Sequence, residues 1–166
     1  PINWHALNSD GAAKGSHGPA RGGGIIRDCR EGLLRAFSAN FGIFSAYWAE
    51  LKAVAYGLDL ARTLGIQNLV VQMDNKACIQ SIQSEAYTGG EYFHILNFCR
   101  NIIKQTNWNV KLEHCYREGN WVADWLTNKG VEQEARILIF QDISLKLGRL
   151  LSEDTVGVAQ PRMITT

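Results

Sequence analysis

Residues 47–75 read Y-W-A-E-L-K-A-V-A-Y-G-L-D-L-A-R-T-L-G-I-Q-N-L-V-V-Q-M-D-N, and the succession of two patterns within them decides the fold. Tyr47, Leu51, Val54, Leu58 and Ala61 recur at steps of four and three, which is one face of a helix over 47–64. Gly65 follows where a helix C-cap belongs. Residues 69–73 are then a short apolar run, a buried strand reached by a helical crossover. Glu50 lies inside the helix and Asp74 directly after the strand.

Upstream the period is that of strands. Residues 2–10 are a mixed apolar run, and 11–24 are glycine-rich around Gly18-Pro19, read as a turn or loop feeding the next strand. Residues 23–28 and 33–42 flank C-R-E-G as a hairpin. Downstream, 76–83 reads as a helix broken by Gly89-Gly90, and 93–104 as another. Val110, Leu112, His114 and Tyr116 alternate with Lys111, Glu113 and Cys115, a half-buried strand. Asn120 stands as the cap of a helix over 121–129, closed by Gly130. The order β-β-β-α-β-α-α-β-α makes an α/β fold, a mixed five-stranded sheet with helices on both faces. Residues 131–166 are read as an extension with one helix over 143–153, capped by Asp142, and a mobile tail.

The 166 residues suffice for one domain with a sizeable core. A net charge of +1 advertises no polyanion partner, so any nucleic-acid contact must come from local patches. Cys29, Cys78, Cys99 and Cys115 form no C-x-x-C pair, which argues against a zinc site and for free thiols in a reduced, intracellular compartment, nucleus or cytoplasm. No apolar run is long enough to span a bilayer. The chain begins at Pro1, not Met, which reads as a piece of a longer protein.

Four carboxylates sit where elements begin or end: Asp10 in N-S-D-G, Glu50 in W-A-E-L-K-A, Asp74 in V-V-Q-M-D-N and Asp124 in W-V-A-D-W-L. Acids beside apolar segments are costly to bury unless something positive compensates them. Four converging would make a site for hard divalent cations, which take oxygen ligands, and so for metal-dependent phosphate chemistry. Taken singly, each acid reads more readily as a turn or a solvated helix residue. His5, His17 and His94 have no partners by spacing and read as structural or exposed, and Trp48, Trp121 and Trp125 as core packing.

S-D-G-A-A-K-G-S-H-G-P-A-R-G-G-G at 9–24, the helix glutamate, V-V-Q-M-D-N and then H-C-Y-R-E-G-N-W-V-A-D at 114–124 resemble type-1 ribonuclease H. The similarity is strongest to the ribonuclease-H-like domains of plant non-LTR retroelements. It covers residues 3–130, and S-E-D-T-V-G-V-A-Q-P-R at 152–162 also resembles the ends of those domains. The most specific block is His114, Asn120 and Asp124 at the family spacing H-x-x-x-x-x-N-x-x-x-D. The resemblance implies a catalytic domain over 1–130, in which Asp10, Glu50, Asp74 and Asp124 hold two Mg2+ ions about 3.5–4 Å apart, with Mn2+ able to substitute. It implies a proton-carrying His114 on a flexible loop, and Asn120 supporting that loop or an acid. The implied substrate is the RNA strand of an RNA–DNA hybrid, read through 2′-hydroxyls. Gly11, Ala12, Ser16, Ser45, Asn75 and Asn120 are the candidate substrate contacts. The implied setting is a monomeric domain partnered with a reverse transcriptase in a longer parent chain, away from membranes.

The chain departs from that pattern in three places, one of them just before Glu50, where Ser45 keeps the family's hydroxyl but Ala46 and Tyr47 replace its amides. Ser16 replaces an asparagine of the family's glycine loop, and Q-S-E-A-Y-T-G-G-E-Y at 83–92 is short and acidic where bacterial members carry a lysine-rich protrusion. Phosphate contacts supply most non-specific affinity, so the expectation is weak, salt-sensitive hybrid binding. These departures keep a second hypothesis open, a catalytically weak or inactive nucleic-acid-binding module. A third, an exonuclease or resolvase of the same fold, is opposed by the His114–Asn120–Asp124 spacing. Arg117, beside His114, is the exposed cation most worth testing.

Overall fold

The computed structural model describes residues 2–129 and 136–141. Among them the chain runs β1 (His5–Ala13), β2 (Gly18–Arg27), β3 (Leu33–Phe44), α1 (Ala46–Thr63), β4 (Asn68–Met73), α2 (Lys76–Gln83), α3 (Phe93–Ile103), β5 (Asn109–His114), α4 (Trp121–Lys129) and β6 (Ile137–Phe140). One mixed sheet orders the strands β5-β4-β1-β2-β3-β6. β1, β2, β3 and β6 pair antiparallel, while β4 pairs parallel with β1 and β5 because helices carry the chain across. β1 is interior, so Asp10 is delivered from the middle of the sheet.

The helix that decides the fold forms as its period dictates. Ser45 caps it by accepting from Trp48 N–H, and Leu51, Val54, Leu58 and Ala61 are fully buried. It ends at Gly65, with Gly65 N–H bonded to Arg62 O and Ile66 N–H to Ala61 O. α1, α2 and α3 cover one face of the sheet over a large core that includes Leu7, Ile26, Phe37, Leu69 and Val71. α4 covers the other face over a small one, Ile25, Ala36, Val122 and Leu126, edged by Trp121 and Trp125. Trp48 likewise packs against the larger core, stacked on Phe44 with ring centroids 3.7 Å apart.

Four expectations are corrected. The glycine-rich stretch is mostly strand: β1 runs to Ala13 and β2 starts at Gly18. The glycines let helices descend onto strands, for a Cβ on Gly23 would lie 2.5 Å from Thr127 N of α4. The sheet has six described strands rather than five. β6 pairs with Ala36–Ala39 of β3, Phe140 lying opposite Ala36, from beyond residue 130, inside the segment read as an extension; four apolar residues are too few for periodicity to declare a strand. β5 stops at His114, leaving Tyr116 78% exposed, because β5 is an edge strand and nothing among the described residues covers the continuation. Asn120 ends a 3-10 turn, Arg117–Asn120, and its side chain turns to β1 instead of capping α4.

Cys78 and Cys99 are buried free thiols, Cys115 is half-buried and Cys29 exposed. Among the described residues no helix is long and apolar enough to cross a membrane. The cap at Gly130, the helix over 143–153 with Asp142, and the tail lie outside the described residues.

Candidate active site

Four elements bring the four acids to one end of the sheet. Asp10 comes from β1, Glu50 from the second turn of α1, Asp74 from the residue after β4, and Asp124 from the first turn of α4. Glu50 reaches Asp10 because α1 rests directly on β1: a Cβ on Gly11 would lie 2.3 Å from Glu50 N and 2.4 Å from Ala49 C. Only a residue without a side chain permits that approach, which is the structural content of the D-G dipeptide.

Carboxylate oxygens of Asp10, Glu50 and Asp74 lie within 4.8 Å of one another. Asp10 and Glu50 are 5% and 8% exposed. Burial, followed by the charges of Asp124 and Asp74, pushes the Asp10 carboxyl well above its ordinary range. Burial, followed by Asp10 and Asp74, does the same to Glu50, against a smaller opposing pull from the Gly11 backbone N–H. Glu50 Oε2 is buried with no hydrogen-bond partner among the described residues. Such an oxygen destabilises the folded chain unless it is protonated or bound to a cation. An all-carboxylate set with an orphaned, buried oxygen therefore fits a hard divalent ion.

Asp124 stands apart from that trio. It is half-buried, its carboxyl is raised chiefly by burial with Arg117 opposing, and its Oδ2 accepts from Asn128 Nδ2 at 3.4 Å. Asn128 in turn accepts from Arg21 at 3.2 Å. Arg117 Nε lies 3.8 Å from Asp74 Oδ2. His114 is an exposed residue at the end of β5, in register with Met73, and not part of a loop as the resemblance implied.

The remaining candidates fall into three groups. Ser16 is exposed between β1 and β2, and Gly11 and Ala12 follow Asp10 on β1. Ser45 and Asn75 are the caps of α1 and α2, accepting from Trp48 N–H and Cys78 N–H, both at 3.1 Å. Ser45 Oγ also lies 3.1 Å from the Tyr92 hydroxyl. Asn120 is 1% exposed: its amide donates to Ser9 O at 2.8 Å, and Asn8 Nδ2 lies 3.4 Å from its Oδ1. It thus ties the turn before α4 to the strand that carries Asp10.

Sequence reasoning missed the rest of that network. Asn8 Nδ2 also donates to Gln72 at 3.1 Å, and Asn8 Oδ1 accepts from the buried Arg27 at 2.9 Å. Thr127 Oγ1 sits 3.0 Å from Asp10 O. The available signal was N-S-D itself: two polar residues on an otherwise apolar strand leading into an acid.

A family model described as reverse transcriptase-like matches residues 8–130. A proposed ribonuclease H protein of Arabidopsis thaliana is 31% identical over 163 residues, 98% of this chain. The chain spans only 26% of that relative's length. Among solved structures, LC11-RNase H1, isolated from compost by a metagenomic approach, superposes with a TM-score of 0.70 at 26% identity, covering 79% of this chain and 97% of its own. The same protein in complex with an RNA/DNA hybrid gives 0.70 at 24% identity, over 77% and 96%. The prototype foamy virus protease-reverse transcriptase gives 0.65 at 18% identity, over 79% of this chain and 21% of the viral one. The fold is that of ribonuclease H.

Proposed function

The chain belongs to the reverse transcriptase-like family, and on that premise we propose that it is an endonuclease hydrolysing the RNA strand of RNA–DNA hybrids with two Mg2+ ions. The observation that carries this reading is the gathering of Asp10, Glu50 and Asp74 oxygens within 4.8 Å around an unpartnered Glu50 Oε2. Asp10, Glu50 and Asp74 would hold the ions, with Asp124 completing the set from α4; Mn2+, which also accepts oxygen ligands, would substitute. Bound there, the ions would supply an activated water and stabilise the leaving 3′ oxygen.

The protein's own groups do the remainder. The bare Gly11 lets α1 rest on β1 and so sets Glu50 beside Asp10. Asn120 fixes the turn that leads into Asp124 by its bond to Ser9 O. The exposed imidazole of His114 offers a ring nitrogen that could pass a proton to or from the substrate. The Gly11–Ala12 backbone, Ser16, Ser45 and Asn75 are the candidate contacts for the hybrid. The complex of LC11-RNase H1 with a hybrid supports the substrate class. The foamy virus likeness and the family description support a reverse-transcriptase partner in a longer, retroelement-derived parent. We place this domain inside the cell, as a monomer.

The second reading is a binding module with weak or absent catalysis. It draws on the exposed, acidic segment around Glu85 and Glu91, where a basic surface would favour polyanion binding. Cleavage of a hybrid labelled on both strands separates the two. RNA-strand products in Mg2+, lost in EDTA and reduced about a thousandfold or more by Asp10→Asn, are the expected result. A folded chain that binds hybrid but cuts neither strand in Mg2+ or Mn2+ would make it the binding module.

A further inference from the structure

The geometry points to Arg27 as a positioning residue for the acid site, one that sets the turn before Asp124 through the side-chain amides of Asn8 and Asn120. This rests on the proposed hybrid nuclease and adds to it a residue outside the acid cluster. Arg27 is the last residue of β2 and is 7% exposed. It pairs with Ala6, four residues before Asp10 on β1. A buried guanidinium is costly unless its donors are met. Glu31, whose side chain is 53% exposed, answers one side, its Oε2 3.1 Å from Nη1. The other side turns inward, Nη2 donating to Asn8 Oδ1 at 2.9 Å.

What Arg27 imposes is direction. A guanidinium only donates, so the prong of Asn8 that faces it must be the oxygen. The Asn8 amide nitrogen is thereby aimed the other way, where it meets Gln72 Oε1 at 3.1 Å and Asn120 Oδ1 at 3.4 Å. With its oxygen facing Asn8, Asn120 presents Nδ2 to the backbone and donates to Ser9 O at 2.8 Å. Reversing Asn8 would set N–H against N–H at Arg27 and oxygen against oxygen at Asn120. Asn8 and Asn120 are 2% and 1% exposed, which leaves solvent little access to either amide. One donor-only cation thus orients two buried amides in series, and the second holds the turn Arg117–Asn120 against β1. Asp124 follows in the first turn of α4. The ion pair with Glu31 neutralises the charge by itself; the bond to Asn8 adds the direction.

The test compares the unsubstituted chain with Arg27→Met, Arg27→Lys, Glu31→Gln and Asn8→Asp, each held below its melting temperature. Three readings are taken: the side-chain amide NMR signals of Asn8 and Asn120 with their hydrogen exchange, Mg2+ binding by calorimetry, and steady-state hybrid cleavage. Arg27→Met removes the donors and should shift the Asn120 signal, cost it protection, and lower kcat about ten- to a hundredfold with KM and Mg2+ affinity kept. Arg27→Lys, still a donor without an acceptor, should restore the Asn120 signal and most of kcat. Glu31→Gln removes the charge of the ion pair but leaves the donor facing Asn8, and should leave all three readings unchanged. If Arg27→Met does not fold, Asn8→Asp carries the test. It keeps an acceptor for Arg27 but sets an oxygen against Asn120 Oδ1. Asn120 should then turn its amide toward the new carboxylate and release Ser9 O, moving its signal and lowering kcat while Arg27 stays paired. An unmoved Asn120 signal or an unchanged kcat in the folded variant overturns the proposal. So does an equal loss from Glu31→Gln, which would leave Arg27 serving the ion pair alone. A parallel loss of Mg2+ affinity in Arg27→Met also overturns it, because the effect would then pass through the acids themselves. If the Asn120 signal follows Arg27 as expected but the unsubstituted chain never cuts, the nuclease reading fails and the amide relay stands.

Discussion

The floor and the rim of the acid site are built by different means. On the floor, Asp10 and Glu50 are 5% and 8% exposed and are fixed by the direct contact of α1 with β1 at Gly11. On the rim, His114 and Arg117 are exposed, Asp124 is half-buried, and single polar bonds hold the turn before α4. The floor is electrostatically strained, with two carboxyls whose proton affinity is raised by burial and by neighbouring carboxylates. The rim is more open to solvent. A cation site needs the first property, since preorganised ligands do not have to be gathered at binding; a polymer substrate needs the second.

The contrast breaks most visibly at Gly11. Gly11→Ala sets a methyl against the backbone of Ala49 and Glu50, and the expected loss is about 3 kcal/mol in urea unfolding, together with the floor geometry. Unchanged stability would mean that α1 does not rest on β1 as described. Next comes the joint between the regions. Asn120→Ala strands Ser9 O and Asn8, and should remove about 2 kcal/mol of stability. It should also lower the hybrid-cleavage kcat more than it alters Mg2+ affinity, since the trio lies on other elements. A fall confined to Mg2+ affinity would join the turn to the floor. Smallest is a change on the rim alone: His114→Ala should leave unfolding within about 0.5 kcal/mol, because the side chain is exposed. Its cost should instead be a cleavage rate lower by about tenfold or more. A large loss of stability would make His114 part of the packed structure.

The floor was more legible in the sequence than the rim. Glu50 sits inside a five-member helical period and Asp74 ends an apolar run, so periodicity alone located both. The D-G dipeptide marked the strand but not its reason, because a glycine's role depends on what approaches it from another element. The same blindness turned Gly18–Gly24 into a loop when these residues are strand beneath two helices. The rim was read through spacing. Spacing put His114, Asn120 and Asp124 in one block, yet it could not say that Asn120 would bond Ser9 O across 111 residues rather than cap its own helix. Asn8, Gln72 and Arg27 meet only through sheet pairing, and β6 only through an edge that four residues do not announce.

The most direct test is unfolding of the chain as a function of pH, in EDTA and in Mg2+. Asp10 and Glu50 bind protons more tightly folded than unfolded. Their contribution is therefore fully present below the ordinary values of 3.8 and 4.5, and is lost as pH rises above these into the neutral and alkaline range. In EDTA, stability should fall across that window, and Glu50→Gln should flatten the fall. Mg2+ should restore the loss, raising the melting temperature more at alkaline than at acidic pH, and Asp10→Asn should abolish most of the effect. A chain whose stability neither falls with pH in EDTA nor responds to Mg2+ would contradict a strained acid floor built for a divalent ion.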